Sequence, residues 1–227
     1  MTIDPAPPAR LVSVQVGRPR DYVWLGRDLR SSIDKHPVTG PVNVLGTHLE
    51  GDEQADPNQH GGPDKAVYAY ATEDLDWWST RLGRHLDAGA LGENLTTTGL
   101  RLDRSVIGEQ WHVGTAVLQV SEPRTPCWKL GMRMGDASFP RAFAKARRPG
   151  VLLRVIREGA LEAGDLVEVG AVPAHGVRAG EVSAMYYGDA VDVARILAAP
   201  ELADHWRDWA AHRTIWHIDE ELKRRDA

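Results

Sequence analysis

From residue 11 to about residue 170, turns bearing glycine or proline cut the chain into short strand-like runs, and this limits what it can fold into. "LVSVQVG" (11–17) alternates apolar and polar residues, as a half-buried strand does. "PVNVLGTHLEGD" (41–52) reads as a second strand entering a turn, and "AVYAYA" (66–71) as a short, fully buried one. "VIGEQWHVGTAVLQV" (106–120) holds two strand-like pieces split by Gly114, and "VLLRVIREGALEAGDLVEVG" (151–170) two more joined by glycine turns. "EQADPNQHGGPDK" (53–65) and "GALGENLTTTGL" (89–100) read as polar loops. Short strands at frequent turns predict a mainly β architecture, a barrel or sandwich with inserted helices.

Two helices are expected inside this region. One follows Thr72, a candidate N-cap, with Leu75, Trp78 and Leu82 on one face and Gly83 as its stop. The other is "PRAFAKARR" (140–148), with Pro140 in its first turn. After "PAHG" (173–176) the pattern becomes helical. "RAGEVSAMYYG", "DAVDVARILAA" and "PELADHWRDWAAHR" read as three helices, with Asp189 capping the second and Pro200 opening the third. Leu202, Trp206 and Trp209 then form an apolar stripe that reads as core.

At 227 residues and 42% apolar content the chain can bury a sizeable core. It shows no run long and apolar enough for a membrane span and no secretory leader, and its single cysteine fits a reducing cytoplasm. A net charge of −5 gives no sign of a nucleic-acid partner. The charge is uneven, because residues 124–154 carry eight Lys and Arg against one Asp. Arg141, Lys145 and Arg148 fall at helical spacing and have the look of a solvated face.

The one thiol, Cys127, lies in "VSEPRTPCWKL" (120–130) between Arg124 and Lys129. A lone cysteine is most often a small buried hydrophobe. Here the prolines force the chain out of its strand, and strand ends are where sites are built. A thiolate in cationic surroundings can be a nucleophile, a sulfur carrier or a soft metal ligand. In "HGGPDK" (60–65), Gly61 and Gly62 allow a backbone concavity for an anion, with His60 ahead and Lys65 behind; the plain alternative is an ordinary glycine turn. In "GENLTTTG" (92–99), Glu93 and Asn94 can recognise a heterocycle edge or can simply bond their own turn. Lys35, taken alone, is a loop lysine. "DEQAD" lacks calcium-loop spacing, and His205, His212 and His217 lack zinc-ligand spacing. No nucleophile-elbow or dinucleotide fingerprint occurs.

In order along the chain, "KHPVTGPV", "GDEQAD…HGGPDKAVYAYA", "GENLTTTGL", "VSEPRTPCWKLGMRM", "RPGVLLRV" and "GD" resemble the MOSC family, related to the C-terminal part of molybdenum cofactor sulfurases, in its YiiM-like bacterial branch. The resemblance covers nearly the whole chain. It implies a MOSC-type β-barrel with peripheral helices over residues 1–175 (core about 32–170) and a small three-helix domain over 176–227. It also implies a molybdopterin-type molybdenum cofactor with Cys127 as the metal ligand. By motif position, Lys35, His60, Gly61, Gly62, Lys65, Glu93, Asn94 and Arg124 would hold the cofactor, with His60 a proton donor. Leu91, where an aromatic is expected, and His48, where glycine is common, depart from the pattern.

The expected activity is reduction of N-hydroxylated small molecules, N–OH to N–H, with electrons from a separate reductase since the chain carries no flavin, haem or iron–sulfur motif. Two alternatives share the same thiol: a persulfide carrier for metal–sulfur cofactor assembly, and a non-catalytic protein that binds and delivers the cofactor. Pyridoxal phosphate is not expected, for want of a transferase-like domain. The sequence leaves the oligomeric state open, a homodimer included.

Overall fold

The computed structural model describes residues 7–56, 61–189 and 191–212. Its strands are β1 (Arg10–Val16), β2 (Arg20–Trp24), β3 (Arg27–Ser31), β4 (His36–Pro37), β5 (Val42–Leu45), β6 (His48–Leu49) and β7 (Val67–Ala71), then β8 (Leu95–Thr98), β9 (Gln110–Val113), β10 (Ala116–Pro123), β11 (Val151–Arg157), β12 (Gly159–Leu161) and β13 (Val167–Val169). Helix α1 (Thr72–Leu82) follows β7 directly. Helices α2 (Trp128–Met134) and α3 (Phe139–Ala146) lie between β10 and β11, and α4 (Ala179–Tyr186), α5 (Val193–Leu197) and α6 (Asp204–His212) follow the last strand.

Eight strands form one sheet in the order β13-β9-β10-β11-β7-β8-β1-β4. The expected barrel is not closed by a continuous ladder. One edge of β1 pairs with β8, and its other edge is divided. β4 takes the half at Gln15 and Val16, while residues 164–167, leading into β13, meet the other half through a bridge between Arg10 and Leu166 and a hydrogen bond from Leu11 N to Asp165 O (2.9 Å). The reason is length: β13 has three residues and β4 has two, too few to run the whole of β1.

β7 shows why a fully apolar run forms here. All five of its residues are buried, because side chains of alternating direction enter two different cores. Val67, Ala69 and Ala71 join the large cluster inside the curled sheet, with Leu95, Trp111, Leu118 and Leu153. Tyr68 and Tyr70 point the other way, into a second cluster under α1 and α3 with Trp78, Phe139 and Phe143. There Trp78 Nε1 donates to the Tyr70 hydroxyl (3.0 Å), and the Trp78 and Phe143 rings stack with centroids 6.0 Å apart.

Other expectations need correction. Residues 95–98 of the expected polar loop form β8, which pairs parallel with β7, so the threonines are sheet residues. The 151–170 region makes three strands, not two, and the β2–β3 hairpin and α2 had no periodic apolar signal. Helix α1 starts at Thr72 with Ala71 in the cap position, and its Leu82 is 36% exposed, so Leu75 and Trp78 carry the buried face; Gly83 ends the helix in the left-handed conformation, as expected. Asp192, not Asp189, caps α5, accepting from Ala194 N (2.9 Å), while Asp189 pairs with Arg147 (2.8 Å). α6 opens at Asp204, past Pro200. Val182, Met185, Ile196, Leu202 and Trp206 of the C-terminal segment belong to the same contact cluster as the sheet interior. Among the described residues no helix is long and apolar enough to cross a membrane.

Candidate functional site

A cavity of about 260 Å³ opens on the sheet face that carries Tyr68. Its floor follows from strand register. Glu122 on β10 pairs with Leu152 on β11, which pairs with Tyr68 on β7. Tyr68 N donates to Asn94 Oδ1 (3.1 Å), just ahead of β8. All four residues line the cavity, so the floor crosses three strand spacings. At about 4.8 Å each, Glu122 and Asn94 are about 14 Å apart.

The Asn94 end is a closed network. Asn94 Nδ2 donates to Gln15 O (3.2 Å) and Asp52 Oδ2 (3.0 Å). Asp52 Oδ1 accepts from Gly17 N (2.7 Å) and Lys35 Nζ (2.5 Å). The Lys35 and Asp52 side chains are 6% and 0% exposed. Burial holds the Lys35 ammonium below the usual lysine range, against the pull of Asp52. Asn94 thus uses its amide to tie β1, β7 and the Asp52 loop together, and it also lines the cavity.

Glu93 is 0% exposed and does not line the cavity. Its carboxylate accepts from Gly89 N (2.6 Å), Leu91 N (3.0 Å) and the Thr96 hydroxyl (3.2 Å). Burial raises its pKa above the usual carboxylate range. What Glu93 does is shape the turn that offers Leu91 O to Arg124 Nη1 (2.7 Å). The turn also needs Gly92, whose φ is +82° and where a Cβ would stand 2.8 Å from Ile33 Cγ1.

Arg124 lies across the floor, its guanidinium 4.6 Å from the centroid of the Tyr68 ring. The Tyr68 phenol is held well above the usual tyrosine range by burial, and it donates to Pro149 O (3.0 Å). From Pro123 the chain leaves β10 through Thr125 and Pro126, and the half-buried Cys127 precedes α2. Cys127 lines the cavity with Lys35, Lys65, Arg124 and Lys129.

Among the described residues of the glycine cradle, Lys65 lines the cavity and Gly61 and Gly62 do not. Gly62 (φ +98°) serves to start the 3-10 turn Pro63–Lys65 that carries it. His60 lies outside the described residues. The sequence reading missed Tyr68, Glu122, Tyr186 and His205, all lining residues. Glu122 lies two residues before Arg124, but β10 ends at Pro123 between them, so strand alternation does not carry from one to the other. Tyr186 and His205 come from α4 and α6, and nothing local marks them. His205 Nε2 stands 3.0 Å from Glu122 Oε2.

Among the described residues, no three His, Cys, Asp or Glu side chains are grouped to hold a metal ion. A metal at Cys127 would have to bring most of its ligands with it. A soft thiol beside several cations suits a metal held by an anionic organic ligand.

The sequence model of the MOSC domain matches residues 56–168. YflK of Bacillus subtilis is 34% identical over 200 residues, which are 87% of this chain and 90% of that one. A protein named "Reductase" from Gibberella moniliformis is 35% identical over 177 residues, 74% of this chain but 31% of its own length. The crystal structure of YiiM from Geobacillus stearothermophilus superposes with a TM-score of 0.76 at 32% identity, covering 91% of this chain and 99% of that one. With a domain match over residues 56–168 and likeness to YiiM and YflK over nearly their full lengths, this chain belongs to the YiiM-like MOSC domain family.

Proposed function

We propose that the chain is a molybdenum-cofactor-dependent oxidoreductase that reduces N–OH groups of small molecules to N–H. One observation carries this reading: the only thiol is half-buried in a cavity whose lining gathers Lys35, Lys65, Arg124 and Lys129 from three separate segments. The name of the fungal relative supports the reaction class.

The overall change is N–OH plus two electrons and two protons, giving N–H and water. Bound at this site, the cofactor would supply the two-electron redox chemistry. Cys127 would hold its metal. Lys65, Arg124 and Lys129 would face its anionic groups and stabilise negative charge that develops nearby. Lys35, already paired with Asp52, would offer a remaining N–H at the far end. Tyr68 and Arg124, one stacked on the other, would keep the floor flat and fixed. The electrons would come from a separate reductase.

The test is metal content and turnover. The protein is purified from a host competent in molybdenum cofactor synthesis, and molybdenum is measured by mass spectrometry. Stoichiometric molybdenum in the wild type, its loss in Cys127→Ser, and benzamidoxime reduction with a reduced viologen dye are the expected results. Wild-type protein without molybdenum would sink the reading. Sulfane sulfur on Cys127 in such a preparation would identify a persulfide carrier instead.

A further inference from the structure

The cavity has two unlike ends. Lys35 is joined to Asn94 through Asp52 and Arg124 lies over Tyr68, while Glu122, three strand spacings away, is an acid with Lys65 carried on a turn whose Asp64 O accepts from the neighbouring Ser121 hydroxyl. Glu122 is 1% exposed, and its Oε2 has no hydrogen-bond partner. His205 Nε2 comes within ion-pair distance at 3.0 Å but off the hydrogen-bond direction. A buried carboxylate oxygen without an aligned donor is costly. It is also misplaced for holding an anion. The site makes chemical sense if a ligand in the cavity brings a donor to this carboxylate.

The surroundings agree with this. Leu152 beside Glu122 gives an apolar stretch of floor, and Tyr186 supplies an aromatic wall. The segment carrying His205 is fastened to β10 and β11 at this point. Ala203 N donates to Ser121 O (3.3 Å), and Arg154 Nη2 donates to Glu201 O (2.8 Å). The His205 side chain is 54% exposed, so it stands at the rim with the carboxylate beneath it.

We propose that Glu122 and His205 form the substrate-recognition end of the cavity. Glu122 accepts a hydrogen bond from an N–H of an amidine-like group, the aromatic body of the ligand lies on Leu152 and Tyr186, and His205 keeps the carboxylate turned inward. The proposal rests on the N–OH reading for its substrate class. It adds which residues select that class, and it assigns them partly to the C-terminal helices.

The probe is benzamidine, the product of benzamidoxime reduction, titrated calorimetrically into the full chain; benzoate is the control that lacks N–H donors. Binding needs neither metal nor electrons. The wild type is expected to bind benzamidine in preference to benzoate. Glu122→Gln, nearly the same shape, is expected to weaken benzamidine by about tenfold or more, as loss of a charge-assisted hydrogen bond does, with a melting temperature no lower than that of the wild type. His205→Gln, at a half-exposed position that does not threaten folding, is expected to weaken it severalfold. Equal affinity in wild type and Glu122→Gln, or no benzamidine binding by the wild type, overturns the proposal. If Glu122→Gln does not fold, unchanged affinity in His205→Gln overturns it. Glu122-dependent binding in a protein that takes up no molybdenum would sink the oxidoreductase reading and leave this end of the cavity as assigned. Molybdenum uptake with benzamidine binding indifferent to Glu122 would do the reverse.

Discussion

Asp52→Asn removes the counter-ion from the buried end of the cavity, and its effect can be worked from the geometry. Lys35 Nζ and Asp52 Oδ1 are 2.5 Å apart, with side chains 6% and 0% exposed. At an effective dielectric of about 20, the attraction lost at that separation is about 7 kcal/mol. Relief of the carboxylate's own desolvation offsets several kcal/mol of this, and a stranded buried charge typically leaves a net loss of about 3–5 kcal/mol. For a chain of this size that corresponds to a melting point lower by about 10–15 °C. The assay is urea unfolding followed by tryptophan fluorescence, with linear extrapolation. Adding Lys35→Met should recover about 2 kcal/mol, because no charge is then left without its partner. A stability for Asp52→Asn within about 1 kcal/mol of the wild type, or no recovery in the double variant, would refute the reasoning and leave Lys35 as a solvated surface group.

Two further expectations concern the tyrosine floor. Burial holds the Tyr68 and Tyr70 phenols well above the usual tyrosine range. Above pH about 10 an unfolded chain loses these protons while the folded one keeps them, so stability falls as pH rises. Phenolate absorbance from these two residues should appear only together with unfolding; smooth ionisation in the folded protein would contradict it. Gly150 has φ +65°, and a Cβ there would lie 2.5 Å from Ala69 O and 2.8 Å from the Tyr70 ring. Gly150→Ala should therefore cost about 3 kcal/mol or more in thermal denaturation, and a variant as stable as the wild type would show the loop to be slack.

Legibility in the sequence followed the range of the interactions. The β5, β7, β9 and β10 runs announced themselves by apolar pattern, and the placement of Cys127 beyond a strand end followed from prolines next to it. β8 did not, because its three threonines look polar until β7 and β1 take their backbone bonds and the interior takes Thr96 and Thr97, which are 1% and 0% exposed. For Glu93 and Asn94, sequence cannot tell a side chain that meets a ligand from one that holds the turn beside it. The framework bonds they make go to Gly89, Leu91, Gln15 and Asp52, and two of these are distant in the chain. Tyr186 and His205 show the hardest case. Each is an ordinary residue on a short helix, and only docking of the C-terminal helices against β10 brings it to the cavity.

β1 lies between β8 and the segment ahead of β13, and this has a kinetic side. The Arg10 side chain bonds Gly164 across 154 residues, and Gln15 bonds Thr96 across 81. β1 precedes these partners by 81 to 154 residues and must wait for them, so the seam of the sheet is set late and at a high loop-closure price. Until then β8 presents an open edge, and crowding at that stage favours pairing with another copy over completion of the fold.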